Sequence, residues 1–323
     1  METLILDVLH VILKKIPDSD KIALLSVGKR FSVIKCAIIY NTEVNLDNII
    51  GLPYFDNFTN VICDHNNNNL PLNITHLTFG HTFNLHIQDF IPSTVKHLTF
   101  GNHFNRDIIN NISPTVTHLI FGTSFSRCIK DSIPPHITHL TIPYYSATKI
   151  QHYIPCSVTH LNFSRVNDYI TESIPLSVVY LTIGGFINRF VWGKIPSNVI
   201  YLTFAHVNDY IVGCIPASVT HLTIQRFKVR FIKGFIPSTV THLTLEKIHT
   251  DIKQCVPLGV IHLTINKISC DKFIKDCIPS TVTHLTINSV VGHYIRNYIP
   301  LTVTYLTINY LDGTILTIVQ SRT

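Results

Sequence analysis

Apolar residues recur along this chain in a short alternating segment that returns about every 21 residues. Aligned on a His-Leu or Tyr-Leu dipeptide, the sequence contains twelve copies, separated by steps of 20, 21 or 22 residues. Within VKHLTF (95–100) the alternation predicts a half-buried β-strand. Leu98 and Phe100 are expected to point inward, and His97 and Thr99 to point to the opposite face.

Five other positions of each copy are apolar in nearly every repeat, including the tenth and the sixth residue before the aromatic, which are Ile in the early copies. One strand cannot bury its own face, and about 21 residues are too few for a strand plus a crossover helix. We therefore predict a parallel β-solenoid of about twelve coils of 20–22 residues, in which each apolar residue stacks on its counterpart in the next coil.

Proline usually stands five residues before the aromatic, as Pro92 does, where its fixed φ can set the turn into the strand. In the third copy Pro114 comes one place later. This displacement predicts a local bulge or a register adjustment at that coil.

The first forty residues carry a different pattern. Apolar residues spaced three and four apart predict an amphipathic helix that ends at Pro17, and the Asp18-Ser19-Asp20 cluster predicts the cap of a second helix. A third basic and apolar stretch extends to about Tyr40. The resulting organisation is an all-α module at 1–40, a linker and N-terminal cap at 41–70, the solenoid at 71–310, and a C-terminal cap at 311–323.

Composition narrows the class of protein further. Of the 323 residues, 46% are hydrophobic and 14% are charged, but polar residues interrupt every apolar run before it reaches the length of a membrane span. Glu2 and Asp7 stand where a signal peptide requires positive charge.

Eight cysteines form no C-x-x-C motif, so we expect reduced thiols and a cytoplasmic location. The net charge of +6 is not gathered in a Lys/Arg run, so we expect no nucleic-acid partner.

The repeated aromatic position is the strongest candidate for chemistry, because imidazole is a common metal ligand and acid–base group. No acidic or cysteine partner stands near these histidines at ligand spacing, and three copies carry Tyr. We therefore expect no metal, no cofactor and no enzyme, and we interpret the column as structural or as a partner-binding strip. The predicted partner-binding face consists of His97, Thr99, His118, His139, Thr141, His160, Tyr180, Tyr201, His221 and His242.

The segment IPSTVKHLTFGNHFNRDI (91–108) resembles a unit of the FNIP repeat family, named for its Phe-Asn-Ile-Pro residues and common in amoebal and giant-virus proteins. Its Val95-x-x-Leu98-x-Phe100 segment fits the skeleton of leucine-rich repeats. The resemblance implies a leucine-rich-repeat-like, curved solenoid with the strands on its concave face. If the protein is viral, the expected location is the host-cell cytoplasm.

The N-terminal pattern resembles an F-box, a three-helix domain that docks on the adaptor linking substrate receptors to a cullin. In this resemblance Ile16-Pro17 matches an internal Leu-Pro and Phe31 a later aromatic, whereas Ile5 stands where the family has Pro. The residues expected to bind the adaptor are Leu4, Ile5, Leu9, Ile12, Leu13, Ile16 and Pro17.

Two functions follow from these resemblances. In the first, the chain is the substrate-recognition subunit of an SCF-type cullin-RING ubiquitin ligase, with the adaptor and cullin bound through the helices and a target protein of unknown identity bound by the repeats. In the second, it is a protein–protein interaction scaffold without a ligase, and the helices cap the solenoid or bind another partner.

Overall fold

The computed structural model describes residues 11–13, 15–26, 32–65, 69–143, 153–166, 174–187, 195–207, 213–226, 234–247, 255–267, 277–290 and 298–319. The chain divides into two compact units, Met1–Arg127 and Cys128–Thr323, and each is described in turn.

The described part of the first unit begins with short helices. Residues 11–13 are helical, and two further helices follow, α1 (Asp18–Ser26) and α2 (Ser32–Lys35). The carbonyl of Pro17 accepts a 3.0 Å hydrogen bond from the backbone N–H of Lys21, so α1 begins at Asp18 and not after the 18–20 cluster. The acidic residues of that cluster lie inside the first turn of α1, where their negative charges interact favourably with the positive end of the helix dipole.

Among the described residues of the first unit, five parallel strands follow, and each pairs with its neighbour in chain order. They are β1 (Val44–Asn45), β2 (Asn60–Cys63), β3 (His76–Phe79), β4 (His97–Thr99) and β5 (His118–Ile120). Two 3₁₀ helices, Leu46–Asn48 and Phe55–Asn57, lie between β1 and β2. The segment predicted to be a linker and cap therefore already contributes two strands to the sheet.

In the second unit the described residues include ten strands. They are β6 (His139–Ile142), β7 (His160–Phe163), β8 (Tyr180–Ile187), β9 (Tyr201–Val207), β10 (His221–Ile224), β11 (His242–Leu245), β12 (His262–Asn266), β13 (His284–Val290), β14 (Tyr305–Tyr310) and β15 (Ile315–Val319). The pairs from β6 to β14 are parallel, and β15 pairs antiparallel with β14. Each unit is thus a parallel β-solenoid, as the repeat predicted.

Equivalent residues of successive copies pair directly, for example Leu222 with Leu243 in β10 and β11. The residue after each aromatic is buried in every strand from β3 to β14, while the aromatic itself is half-buried or exposed. This confirms the predicted alternation of inward and outward side chains. In the first unit the inward positions form phenylalanine columns, with ring centroids 5.3 Å apart for Phe79 and Phe100 and 5.4 Å apart for Phe100 and Phe121.

A tight turn leads into each strand. The backbone N–H of Val95 donates to the carbonyl of Pro92 at 3.1 Å, and equivalent bonds recur before the later strands. In the third copy Ser113 supplies that carbonyl at 3.1 Å and Pro114 occupies the next position, which proline's fixed φ also suits. The pairing of His97 with His118 continues unshifted. The predicted bulge or register adjustment at Pro114 is therefore wrong.

Neighbouring coils of the first unit approach closely where a glycine follows the strand. A Cβ atom added to Gly101 would lie 2.0 Å from the carbonyl oxygen of Gly80, and one added to Gly122 would lie 2.1 Å from that of Gly101. Both separations are far inside van der Waals contact. Glycine is therefore required here for backbone approach and not for a left-handed φ.

We expect Leu222→Ala to lower the free energy of unfolding by about 2–5 kcal/mol, because Leu222 is 1% exposed and its removal leaves a cavity between stacked coils. His221→Ala should cost much less, because the His221 side chain is only half-buried on the outward face. Urea denaturation of the two variants measures the difference. Equal losses would mean that the inward and outward faces are assigned incorrectly.

Candidate interaction surface

The outward face of each unit carries a continuous stack of aromatic rings. The stack of the first unit consists of His76, His97 and His118, and that of the second of His139, His160, Tyr180, Tyr201, His221, His242, His262, His284 and Tyr305. Within each unit, adjacent ring centroids lie 3.9 to 4.4 Å apart. We call these stacks the first and second aromatic ladders. Because each ring covers the face of its neighbour, both ladders present ring edges outward.

A threonine before many of the histidines orients the imidazole. Seven threonine hydroxyl oxygens lie 2.8 to 3.0 Å from the Nδ1 atom of the following histidine, in both units. The hydroxyl of Thr241 also donates at 3.3 Å to the carbonyl of Thr220 in the preceding coil. Where both bonds form, the threonine hydroxyl donates its one hydrogen to the carbonyl, which can only accept. The hydroxyl oxygen therefore accepts its second bond from the Nδ1–H of the histidine. The Nε2 atom of such a histidine is then the one left to accept a hydrogen bond from a ligand.

Two further columns of polar side chains lie beside the second aromatic ladder on the outward face. The second residue after the aromatic is Thr in most strands, and those of β10 and β11, Thr223 and Thr244, pair directly. Two residues further on, the amide of Asn288 donates to the side chain of Asn266, and the amide of Asn309 donates to that of Asn288. The surface therefore offers ring edges, hydroxyls and amides in parallel columns.

The ten residues predicted for the partner-binding face all lie on this outward side. Nine are half-buried, and Tyr180 is 39% exposed. His97, Thr99 and His118 lie together in the first unit, and the other seven lie in the second. Whether a partner binds them stays a prediction.

Partial burial lowers the pKa of several ladder histidines, and neighbouring imidazoles lower the pKa of some of them further. Desolvation lowers the pKa of His139 and His76. For His242 desolvation is the larger cause, and the positive charges that His221 and His284 would carry lower its pKa further. The same causes act on His262, with His242 and His284 as its neighbours. The fold therefore favours neutral, stacked imidazoles.

An asparagine column in the first unit was missed as a structural element by the sequence analysis. The side chain of Asn84 accepts a 3.0 Å hydrogen bond from the backbone N–H of Asn105, and the Asn105 side chain accepts one of equal length from the N–H of Ser126. Arg106 Nε also donates to the Asn84 carbonyl at 2.9 Å. These bonds join adjacent coils through the Asn of the Phe-Asn pair. Its recurrence at one offset was the signal that could have revealed the role.

A second overlooked position lies eight residues before the aromatic. Asp89, Asn110 and Asp131 have φ of 54°, 58° and 56°, and Gly213 and Gly234 have φ of 79° and 87°. This left-handed conformation favours Asp, Asn and Gly. The recurrence of these three residue types at that offset is a readable turn signal.

The helical residues predicted to bind an adaptor fall into three groups. Leu4, Ile5 and Leu9 lie outside the described residues. Leu13 is buried, which leaves it to pack within the protein, and Ile16 is half-buried. Ile12 is 45% exposed, and Pro17 is also exposed.

The helices are joined to the first coils of the sheet. Asp18 forms an ion pair with Lys21 and accepts a 2.6 Å hydrogen bond from the backbone N–H of Thr42. Burial alone would raise the pKa of Asp18, but the bonds from Lys21 and Thr42 lower it overall. Tyr40 is fully buried, stacks on Phe58 with ring centroids 4.9 Å apart, and forms a parallel bridge with it.

The cysteines predicted to be reduced form no disulfide among the seven that the structure describes. Burial raises the pKa of the Cys214 thiol to about 11, which disfavours the reactive thiolate. Within the described ranges, no group of three or more His, Cys, Asp or Glu side chains is arranged to hold a metal ion. In the same ranges, no helix combines the length and apolar character needed to cross a membrane.

We expect the protein to lose stability as the pH falls from about 7.5 to about 5.5. In the folded protein His221, His242 and His262 have pKa values below the unfolded value of about 6.5, so the unfolded chain binds more protons in this range and acidification favours it. Replacing His221, His242 and His262 by Tyr should reduce this dependence, because Tyr180 and Tyr201 already fit the same ladder without titrating here. Melting temperatures of both proteins at the two pH values measure the effect. An unchanged slope in the triple variant would contradict this assignment.

Three comparisons relate the chain to known proteins. The family model described as FNIP Repeat matches residues 66–103, 104–145 and 208–247. No curated protein matches the sequence. Among solved structures, CroV588, described as a novel circular LRR protein, is similar with 24% identity and a TM-score of 0.52 over 84% of this chain. A leucine-rich-repeat protein, LegL7 from Legionella pneumophila, gives 14% identity and a TM-score of 0.41 over 85% of this chain and 92% of its own.

The likeness to CroV588 concerns the fold alone, and the aligned region spans 46% of the length of that protein. It agrees with the parallel solenoid seen in each unit and with the inward Val-x-x-Leu-x-Phe pattern of the strands. The chain is therefore a repeat protein that carries FNIP repeats and has a leucine-rich-repeat-like fold.

Proposed function

We propose that this chain is the substrate-recognition subunit of an SCF-type cullin-RING ubiquitin ligase in the cytoplasm. Its N-terminal helices dock on the adaptor, and the outward face of its solenoid binds a target protein. The protein acts in this role by binding and not by catalysis. The observation that carries the proposal is the outward face itself, where aromatic, threonine and asparagine columns are presented side by side.

The physical argument for a protein target rests on what these columns offer. Ring edges and hydroxyl groups recur at the strand spacing of about 4.8 Å, which provides hydrogen-bonding groups over several coils. Repeat solenoids use such extended surfaces to bind other proteins. The inward columns already supply the core, so the outward side chains remain available for recognition.

The argument for an adaptor rests on apolar surface in the helical segment. Val11 is 59% exposed, Ile12 45% and Leu24 40%. Buried apolar anchors contribute most of the free energy at protein interfaces, and exposed apolar groups near Pro17 could serve as such anchors. The F-box resemblance indicates that the adaptor is the expected partner of these residues.

A scaffold without a ligase is the second candidate, and one observation favours it. Asp18 accepts a bond from Thr42 and Tyr40 bridges to Phe58, so the helical segment is anchored to the first coils. In that case the helical segment stabilises the solenoid and recruits no adaptor.

We expect Ile12→Glu combined with Pro17→Ala to abolish recovery of the adaptor and the cullin with the full-length chain purified from eukaryotic cells. Leu85→Glu is a matched control, because Leu85 is 46% exposed in the same unit but outside the helices. The melting temperature of each variant is measured in parallel. Absence of adaptor from the wild-type protein, together with a lowered melting temperature of the double variant, would support the scaffold and contradict the ligase.

The target-binding face can be tested by placing a photo-crosslinking residue at Thr244, which is half-buried on the outward face of β11. We expect a specific protein adduct at this position in cells. The same residue at Lys130, which is exposed in the second unit away from the strands, should give no such adduct. Equal crosslinking at both positions would contradict the assignment of the face.

A further inference from the structure

Beyond the threonine column, the second unit presents two consecutive side chains at the surface instead of alternating them. In β9, Ala205 and His206 are both half-buried, and Val207 is buried again. The register between β8 and β9 shifts between Ile183 and Phe186, which is the mark of a β-bulge. A bulge turns an extra residue outward and so re-aims it.

In three successive coils the residue equivalent to His206, which there lies one or two positions past the end of the strand, is a cation. Arg226 and Lys267 are exposed and Lys247 is half-buried, each five residues after its ladder histidine. We call these three residues the cationic column. Among the described residues, none of the three forms a salt bridge. Strand spacing places successive coils about 4.8 Å apart, so these like charges lie close together.

The sequence shows that positive charge is concentrated in the same coils. Residues 221–283 contain nine Lys or Arg and four Asp or Glu, a surplus of five, whereas the whole chain has a net charge of +6. Most of the net positive charge of the chain therefore lies in three coils, although it does not form a continuous Lys/Arg run. Such a local field attracts anionic groups and accelerates their association.

We infer that the outward face of β10 to β12 binds an acidic segment of a protein, with carboxylates paired to the cationic column. This inference rests on the proposed target-binding role and specifies the chemistry of the target. Carboxylates can also accept hydrogen bonds from the adjacent threonine hydroxyls and the Asn266 amide. A single-stranded nucleic acid is disfavoured, because its bases need exposed ring faces, and the faces of the ladder rings cover one another.

The test uses the full-length chain and a labelled oligoglutamate peptide as the probe. Arg226→Glu combined with Lys267→Glu should weaken binding by at least about tenfold, since it replaces two attractive charges by two repulsive ones. Lys15→Glu combined with Lys130→Glu changes the net charge equally at exposed positions outside the strands and should alter affinity less than about twofold. Fluorescence anisotropy measures the dissociation constants. The affinity of the wild-type protein should decrease when the salt concentration is raised from about 50 to about 200 mM.

Several results would overturn the inference. Absence of peptide binding, or equal weakening by both double variants, would show that the column does not recognise carboxylates. Tighter binding of oligothymidine than of oligoglutamate, with the same loss in the column variant, would assign the site to nucleic acid. If the column variant still crosslinks its partner at Thr244, the acidic partner is wrong while the interaction function stands. If Thr244 captures no partner in the wild type, the interaction function itself fails.

Discussion

In-register parallel pairing of equivalent residues is the constraint on which each unit depends. A parallel strand places each side chain beside the same position of the neighbouring copy, as His242 lies beside His262. Each column must therefore consist of residues whose side chains pack favourably against identical or similar side chains. Aliphatic and phenyl side chains satisfy this condition inside, whereas neutral imidazole, phenol, hydroxyl and amide groups satisfy it outside by stacking or hydrogen bonding.

The same constraint explains where charge is found on the outward face. Like charges directly opposite each other on adjacent strands are destabilising, and neither the aromatic nor the threonine column contains Lys, Arg, Asp or Glu. Cations appear instead at the end of the strand, where Arg226 and Lys267 can extend toward solvent. His242 and His262 follow the same rule, because burial and neighbouring imidazoles lower their pKa values.

Contacts of Asp18 and Tyr40 join the N-terminal helices to the first strands. Tyr40 inserts between the helical segment and the first strands, and burial raises its pKa to about 12, so its hydroxyl remains protonated. Asp18 ties the start of α1 to Thr42. These contacts are compatible with both proposed functions, since a segment anchored to the first coils can still present Ile12 and Pro17 to a partner.

The sequence by itself determined the repeat, its strand and the two faces of that strand, because a period of two within a period of about 21 leaves one arrangement that buries Leu98 and Phe100. Only the tertiary structure decided how the coils are joined. The Asn84 and Asn105 bridges, the turn that retains Pro114 without a register shift, and the bulge that turns successive residues outward all depend on atoms from neighbouring coils. Such contacts link residues about 21 positions apart, so no local pattern specifies their geometry.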